Sequence, residues 1–235
     1  MGREKVVHHL DPRFVTYSSS HWDLFDRFRQ RSIPVLEALL QRNLTGYVFG
    51  SVARGDVSET SDIDITIYEL VSSFQVDLAL EMANLSVQKK EIVMATPSSV
   101  VKGLYYLGDD LTLSLRLTRF TRNPFDFYRY GGWVNLNEIR RGIRKCGVNK
   151  ALVVINPTDD GHEEFALMEY KQRAKDLLEV GVETIDERIR VLSRRDKVGR
   201  TGVFLSESLP PDAHFESELK QIANQNSLVR RRLSF

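Results

Sequence analysis

Residues 47–65 leave the backbone few choices. Tyr47-Val48-Phe49 reads as a short buried strand that breaks at Gly50, where the missing side chain lets an anion approach the main chain. Ser51 follows with a hydroxyl to donate. A helix or single turn starting there aims N–H groups and its positive dipole end at the same place. A second strand comes after a polar spacer. In it Asp62 and Asp64 stand two apart and project from one face, while Ile63 and Ile65 point the other way into a core. Two carboxylates on one face beside an anion site suit Mg²⁺ bridging to a triphosphate.

That arrangement resembles the active-site signature of the nucleotidyltransferase superfamily related to DNA polymerase β. The signature is an apolar residue, Gly, Gly or Ser, a spacer, then Asp, an apolar residue, Asp or Glu, and another apolar residue. Here it is met by Phe49-Gly50-Ser51 and Asp62-Ile63-Asp64-Ile65. With Ala53-Arg54-Gly55 and Ser61 added, the string looks most like the minimal nucleotidyltransferases of archaea and bacteria, and a looser likeness runs to Pro97.

The resemblance implies roles. Asp62 and Asp64 hold one or two Mg²⁺ (or Mn²⁺) ions, Gly50 and Ser51 fix the β- and γ-phosphates of an NTP such as ATP, and Arg54 adds charge-assisted contacts to the leaving group. The superfamily commonly carries a third carboxylate on the next strand. Glu91, followed by 92–97 ending in Thr-Pro, resembles that element, with one extra residue and Glu where Asp is usual. Asp109 and Asp110, ahead of an alternating strand at 111–117, are its rivals. On that strand Thr112 and Ser114 occupy the sites open to an acid.

The formal charge is only +1, from 33 basic and 32 acidic side chains, so any nucleic-acid contact needs a local patch rather than a basic surface. Cys146 is the sole cysteine, which removes a disulfide framework or a cysteine zinc cluster from consideration. No apolar run approaches membrane-spanning length and the N-terminus lacks a signal-like core, so a cytoplasmic protein with no membrane partner is expected.

The expected fold is α/β (α+β): a nucleotidyltransferase-type mixed sheet with helices on one side, plus a mostly helical C-terminal domain. Domain one is 1–132. Its first helix, from Ser20 with Trp22, Phe25, Phe28, Ile33, Leu36, Leu39 and Leu40 in period, is either kinked or divided at Pro34. An aromatic and basic cluster, Phe120, Arg122, Phe125, Phe127, Tyr128, Arg129, Tyr130 and Trp133, reads as a hydrophobic seam or a base-stacking surface, with Gly131-Gly132 as a joint.

Domain two is 133–235. It is expected to hold a basic helix at 135–145 with Arg140, Arg141, Arg144 and Lys145, and a short strand at 151–155. A helix opened by Asp159-Asp160-Gly161-His162-Glu163-Glu164 runs to Leu178. A helix from Thr184 ends in the basic run 194–200, and a wing strand at 201–205 makes the region similar to a helix-turn-helix. Arg230-Arg231-Arg232 lie in a mobile tail. Three functions compete: a nucleotidyltransferase acting on an RNA end or a protein, a nucleotide- or nucleic-acid-binding regulator on the same fold, and a DNA-binding repressor built on the C-terminal half.

Overall fold

The computed structural model describes residues 5–119, 125–199 and 202–233. In chain order the elements are β1 (Arg13–Thr16), α1 (Ser19–Leu40), β2 (Gly46–Phe49), α2 (Ser51–Arg54), β3 (Ile63–Ile67), α3 (Ser73–Met82), β4 (Lys89–Met94), β5 (Val101–Tyr106), β6 (Leu111–Arg116) and α4 (Phe125–Gly131). There follow β7 (Trp133–Asn135), α5 (Leu136–Arg140), β8 (Gly147–Val148), β9 (Val153–Thr158), β10 (Gly161–Ala166), α6 (Lys171–Leu178), α7 (Val182–Val198), β11 (Leu205–Leu209), α8 (Phe215–Gln225) and α9 (Ser227–Leu233). The protein is of mixed α+β class. Among the described residues no helix is long and apolar enough to cross a membrane.

The chain does not divide at residue 132. One compact unit is drawn from Met1–Arg29, Phe49–Ser61 and Pro124–Thr201, and the other from Gln30–Val48, Asp62–Asn123 and Gly202–Phe235. A sequence scan for linkers looks for one composition shift, whereas this chain passes from one unit to the other several times. Helix α1 is a single element through Pro34.

In the first unit an antiparallel sheet has the order β1-β10-β9-β8. Strands β9 and β10 form a hairpin in which Thr158 faces Gly161, so Asp159-Asp160 is a two-residue turn. The expected helix at this acidic run is therefore a strand, and helix begins only at Lys171. The local cue was ambiguous: acids suit a helix N-terminus and a tight turn alike, and cross-strand pairing decided. Helices α6 and α7 close one core with this sheet, built on Val154, Phe165, Leu167, Leu178 and Ile185.

In the second unit the strands run β11-β4-β5-β6-β3-β2. β3 and β6 are parallel, while each neighbouring pair along β11-β4-β5-β6 is antiparallel. One face is a core of Ile63, Ile65, Leu113, Tyr105 and Ile92, all with no exposure. Helices cover that face. The Phe215 ring of α8 lies so close to Gly103 that a Cβ there would meet it at 3.0 Å, and Tyr105 donates from its hydroxyl to the Ser73 carbonyl of α3 at 3.2 Å. The C-terminal half of α1 lies against β2, for a Cβ at Gly46 would meet Leu36 and Leu39 at 2.7 and 2.8 Å.

Three C-terminal expectations change. Thr201 lies outside the described residues, and the strand at 205–209 pairs with β4 as an edge of this sheet, so it is no wing. The basic helix at 135–145 is short, ending at Arg140, because Gly142 turns left-handed with φ 68°. The arginine tail is helix α9, with Arg232 buried and donating to the Arg119 carbonyl at 3.1 Å, and Arg230 donating to the Ala223 and Asn224 carbonyls.

Candidate active site

Gly50 has φ 85° and ψ −141°, backbone that a side chain strongly disfavours. Its N–H donates to the Gly132 carbonyl at 3.0 Å, and its own carbonyl accepts from Ala53 and Arg54, starting the single turn α2. The sharp break after Phe49 is thus fixed at both ends. Nothing lies within 4 Å of where a Cβ would be, so conformation and not crowding selects glycine.

Ser51 Oγ donates to Ser61 Oγ at 3.3 Å, and Ser61 Oγ also accepts from the Ser58 N–H at 2.9 Å. With the Ser61 N–H returning to the Ser58 carbonyl, 58–61 forms a closed turn. This turn ties the residue before Asp62 to the first residue of α2. The sequence reading missed the role of this Ser-x-x-Ser spacing, although the spacing itself was a usable signal.

On β3 the alternation is clean. Ile63 and Ile65 are fully buried while Asp62 and Asp64 are exposed, so both carboxylates leave the sheet on the side away from the helices. The Ile63 N–H donates to the Asp110 carbonyl at 2.7 Å, which sets the level of Asp62 against β6, and Asp64 pairs directly with Thr112. Thr112 therefore stands beside Asp64 where another acid would have been nearest.

Glu91 is not brought to Asp64. Row by row, Asp64 lies beside Thr112, Tyr106 and Lys89, and Glu91 falls in the next row with Leu104, Ser114 and Thr66. Three strand spacings separate it from β3, or about 14 Å. Its oxygens are engaged locally: Tyr106 donates to Oε2 at 2.6 Å, Ser206 donates to Oε1, and Lys89 sits 4.0 Å away. Burial pushes this carboxyl up, but the Ser206 and Tyr106 hydroxyls and Lys89 outweigh it and hold it below the usual range. The expectation of a third metal carboxylate here fails because β5 and β6 intervene, a strand order that sequence does not state.

Asp110 is drawn elsewhere as well. It forms a two-pronged pair with Arg31 of α1, whose hydrogen bond holds the carboxyl below its ordinary value. Asp109 is exposed just before β6.

Arg54 is also corrected. It is only 5% exposed, with Nε and Nη2 on the two oxygens of Asp56 at 2.9 Å and Nη1 on the Gly131 carbonyl at 2.7 Å. This guanidinium braces the turn from within and does not present itself to a phosphate. Arg29, buried on the apolar stripe of α1, donates to the Val52, Ala53 and Ile143 carbonyls and steadies the same turn. Desolvation lowers its pKa to about 10. An arginine inside an apolar stripe was the sequence signal for it.

The aromatic run is a packed seam where it is described; Phe120 and Arg122 lie outside the described residues. Phe49 stacks on Phe127 at 5.6 Å, Tyr128 stacks on Trp133 at 5.4 Å, and a Cβ at Gly131 would sit 2.3 Å from the Phe49 ring. Gly131-Gly132 is thus a close-packing pair rather than a joint.

Residues 36–100 match the family model described as Polymerase beta, Nucleotidyltransferase, a span holding Gly50, Ser51, Asp62 and Asp64. Over that span the chain is similar to polymerase β-like nucleotidyltransferases. Comparison with curated proteins and with solved structures found no match.

The domain's donor set can be tested against a metal. Among the described residues no three His, Cys, Asp or Glu side chains come together as a metal cluster. Two exposed carboxylates still fit Mg²⁺, which keeps several waters and commonly takes one or two protein carboxylates plus substrate phosphates. They do not fit a second ion that needs a third acid.

Proposed function

We propose that this nucleotidyltransferase moves a nucleoside monophosphate from an NTP to a hydroxyl acceptor, an RNA end or a protein, and releases pyrophosphate. The observation that carries the reading is the β3 alternation inside the matched span: Asp62 and Asp64 exposed on one face over a fully buried Ile63 and Ile65.

Asp62 and Asp64 would hold Mg²⁺ or Mn²⁺, which supplies charge neutralisation for the triphosphate and for the pyrophosphate that departs. Ser51 binds the β- and γ-phosphates through its N–H and hydroxyl, and Gly50, its own N–H held by the Gly132 carbonyl, supplies the bare backbone that lets them approach. The 58–61 turn is tied to Ser51 through Ser61, and Arg54 with Asp56 braces the α2 turn. The acceptor oxygen attacks the α-phosphorus, the bond to the β-phosphate oxygen breaks, and the acceptor proton leaves to solvent. Positioning and charge compensation do most of the work. A cytoplasmic setting suits a chain with a single, half-buried thiol and an NTP substrate.

The test is incubation with each α-labelled NTP and Mg²⁺ or Mn²⁺ against separate RNA and protein pools. Label should move to one pool and be lost in Asp62→Asn and Asp64→Asn. Transfer that survives both substitutions refutes the reading.

A second reading, a regulator that binds nucleotide without transferring it, draws support from Thr112 beside Asp64 and from the distance of Glu91. It predicts metal-dependent NTP binding with no label in either pool. The repressor reading is weakened, because Arg144, Arg230 and Arg232 donate to main-chain carbonyls and the strand at 205–209 is a sheet edge rather than a wing.

A further inference from the structure

The first unit carries an open depression of about 390 Å³ whose wall holds Tyr17, His21, Asp56 and His162 beside Val15 and Val57. That volume lies at the small end of the range of about 300–1,000 Å³ for small-molecule sites. The wall is rigid. Tyr17 stacks on His21 at 3.7 Å, and Tyr17 and His162 are 8% and 5% exposed.

Its hydrogen-bonding character follows from neighbours that have only one possible role. His21 Nε2 is 2.8 Å from the Gly55 carbonyl, which only accepts, so Nε2 carries the proton and Nδ1 keeps its lone pair. His162 Nε2 faces the Glu164 carboxylate at 3.4 Å and its Nδ1 is 2.6 Å from the Tyr17 hydroxyl. The carboxylate fixes the His162 proton on Nε2. The Tyr17 hydrogen then goes to Nδ1, and the phenol oxygen keeps acceptor capacity.

Both Asp56 oxygens are held by Arg54 at 2.9 Å, which cancels the charge while leaving lone pairs. Among the described residues no lysine or arginine lines the space, and the nearest guanidiniums, Arg54 and Arg144, are already committed to Asp56 and the Gly131 carbonyl and to the Gly161 and Thr158 carbonyls. An anion there would face acceptors, with the nearby cations engaged elsewhere. A neutral ligand rich in hydroxyl donors meets complementary groups on a partly apolar wall.

We propose that this cavity binds a small uncharged polyhydroxylated molecule, a monosaccharide or the sugar of a nucleoside. The site is separate from the phosphate and metal reading above and does not depend on it. The test therefore uses the full-length Asp64→Asn protein without NTP or divalent metal.

Titration with D-ribose, D-glucose and adenosine, followed by saturation-transfer NMR and calorimetry, should give saturable binding of at least one, with Kd below about 1 mM. Ribose 5-phosphate and inorganic phosphate should bind more weakly. Thr16→Trp, at an exposed position on the cavity wall, and His21→Phe, which keeps a ring on Tyr17 but lacks Nδ1, should each weaken binding about tenfold or more. Circular dichroism and thermal midpoints report whether each variant is folded. No saturable binding by any of the three probes, binding indifferent to both substitutions, or tighter binding of the phosphorylated sugar overturns the proposal.

Discussion

Substituting Glu91 by Gln separates the geometry of the sheet from the pattern of the sequence. A carboxylate that serves the same metal ions as Asp64 must lie within about 8 Å of it, given metal–oxygen distances near 2 Å and ions about 3.5–4 Å apart. The strand order puts Glu91 about 14 Å away. Glu91→Gln should therefore leave metal-dependent nucleotide binding and any transfer rate within about twofold of the parent, whereas Asp64→Asn should cost about a hundredfold or more.

What Glu91→Gln does remove is charge assistance to two hydroxyl hydrogen bonds, at a cost of about 1–2 kcal/mol, or a few degrees in thermal midpoint. The sign with pH follows from the lowered pKa of Glu91. The stabilisation is complete above the ordinary carboxylate pKa and disappears as pH falls through the depressed folded value. Parent and variant midpoints should converge on acidification. Isothermal titration with Mg²⁺ and NTP, label transfer, and thermal scans from neutral to acid pH measure all of this. A hundredfold loss of binding or transfer in Glu91→Gln, with the protein still folded, would refute the strand-order argument.

Lys90 is 3% exposed and joins Asp77 and the Ala213 carbonyl, each at 2.8 Å, so Lys90→Met should cost about 3 kcal/mol by stranding Asp77. Adding Asp77→Leu should recover most of the loss in a chemical-denaturation cycle. Arg54→Ala removes three hydrogen bonds from a buried guanidinium and should destabilise by about 3–5 kcal/mol, with Arg54→Lys a poor rescue because one ammonium does not span the Asp56 fork. Gly103→Val pushes a side chain into the Phe215 ring and should cost about 1–3 kcal/mol, read as a lower thermal midpoint, while Phe215→Ala in the same background should make the valine cheaper to accommodate.

The sequence by itself determined the local chemistry. Gly50 is required by a positive φ, and the period-two run from Asp62 to Ile65 fixes which side chains face out and which face the core, because those constraints act within a few residues. Tertiary structure alone decided the partners. Arg54 turned inward because Asp56 and the Gly131 carbonyl share its burial, and Asp110 was claimed by Arg31. Glu91 was carried away from the acid pair because β5 and β6 separate it from β3, and the acidic run at Asp159 became a hairpin once β10 found β9 and β1. Strand order and ion pairing depend on contacts between segments distant in sequence, where one local pattern is compatible with several pairings and the packed core selects among them.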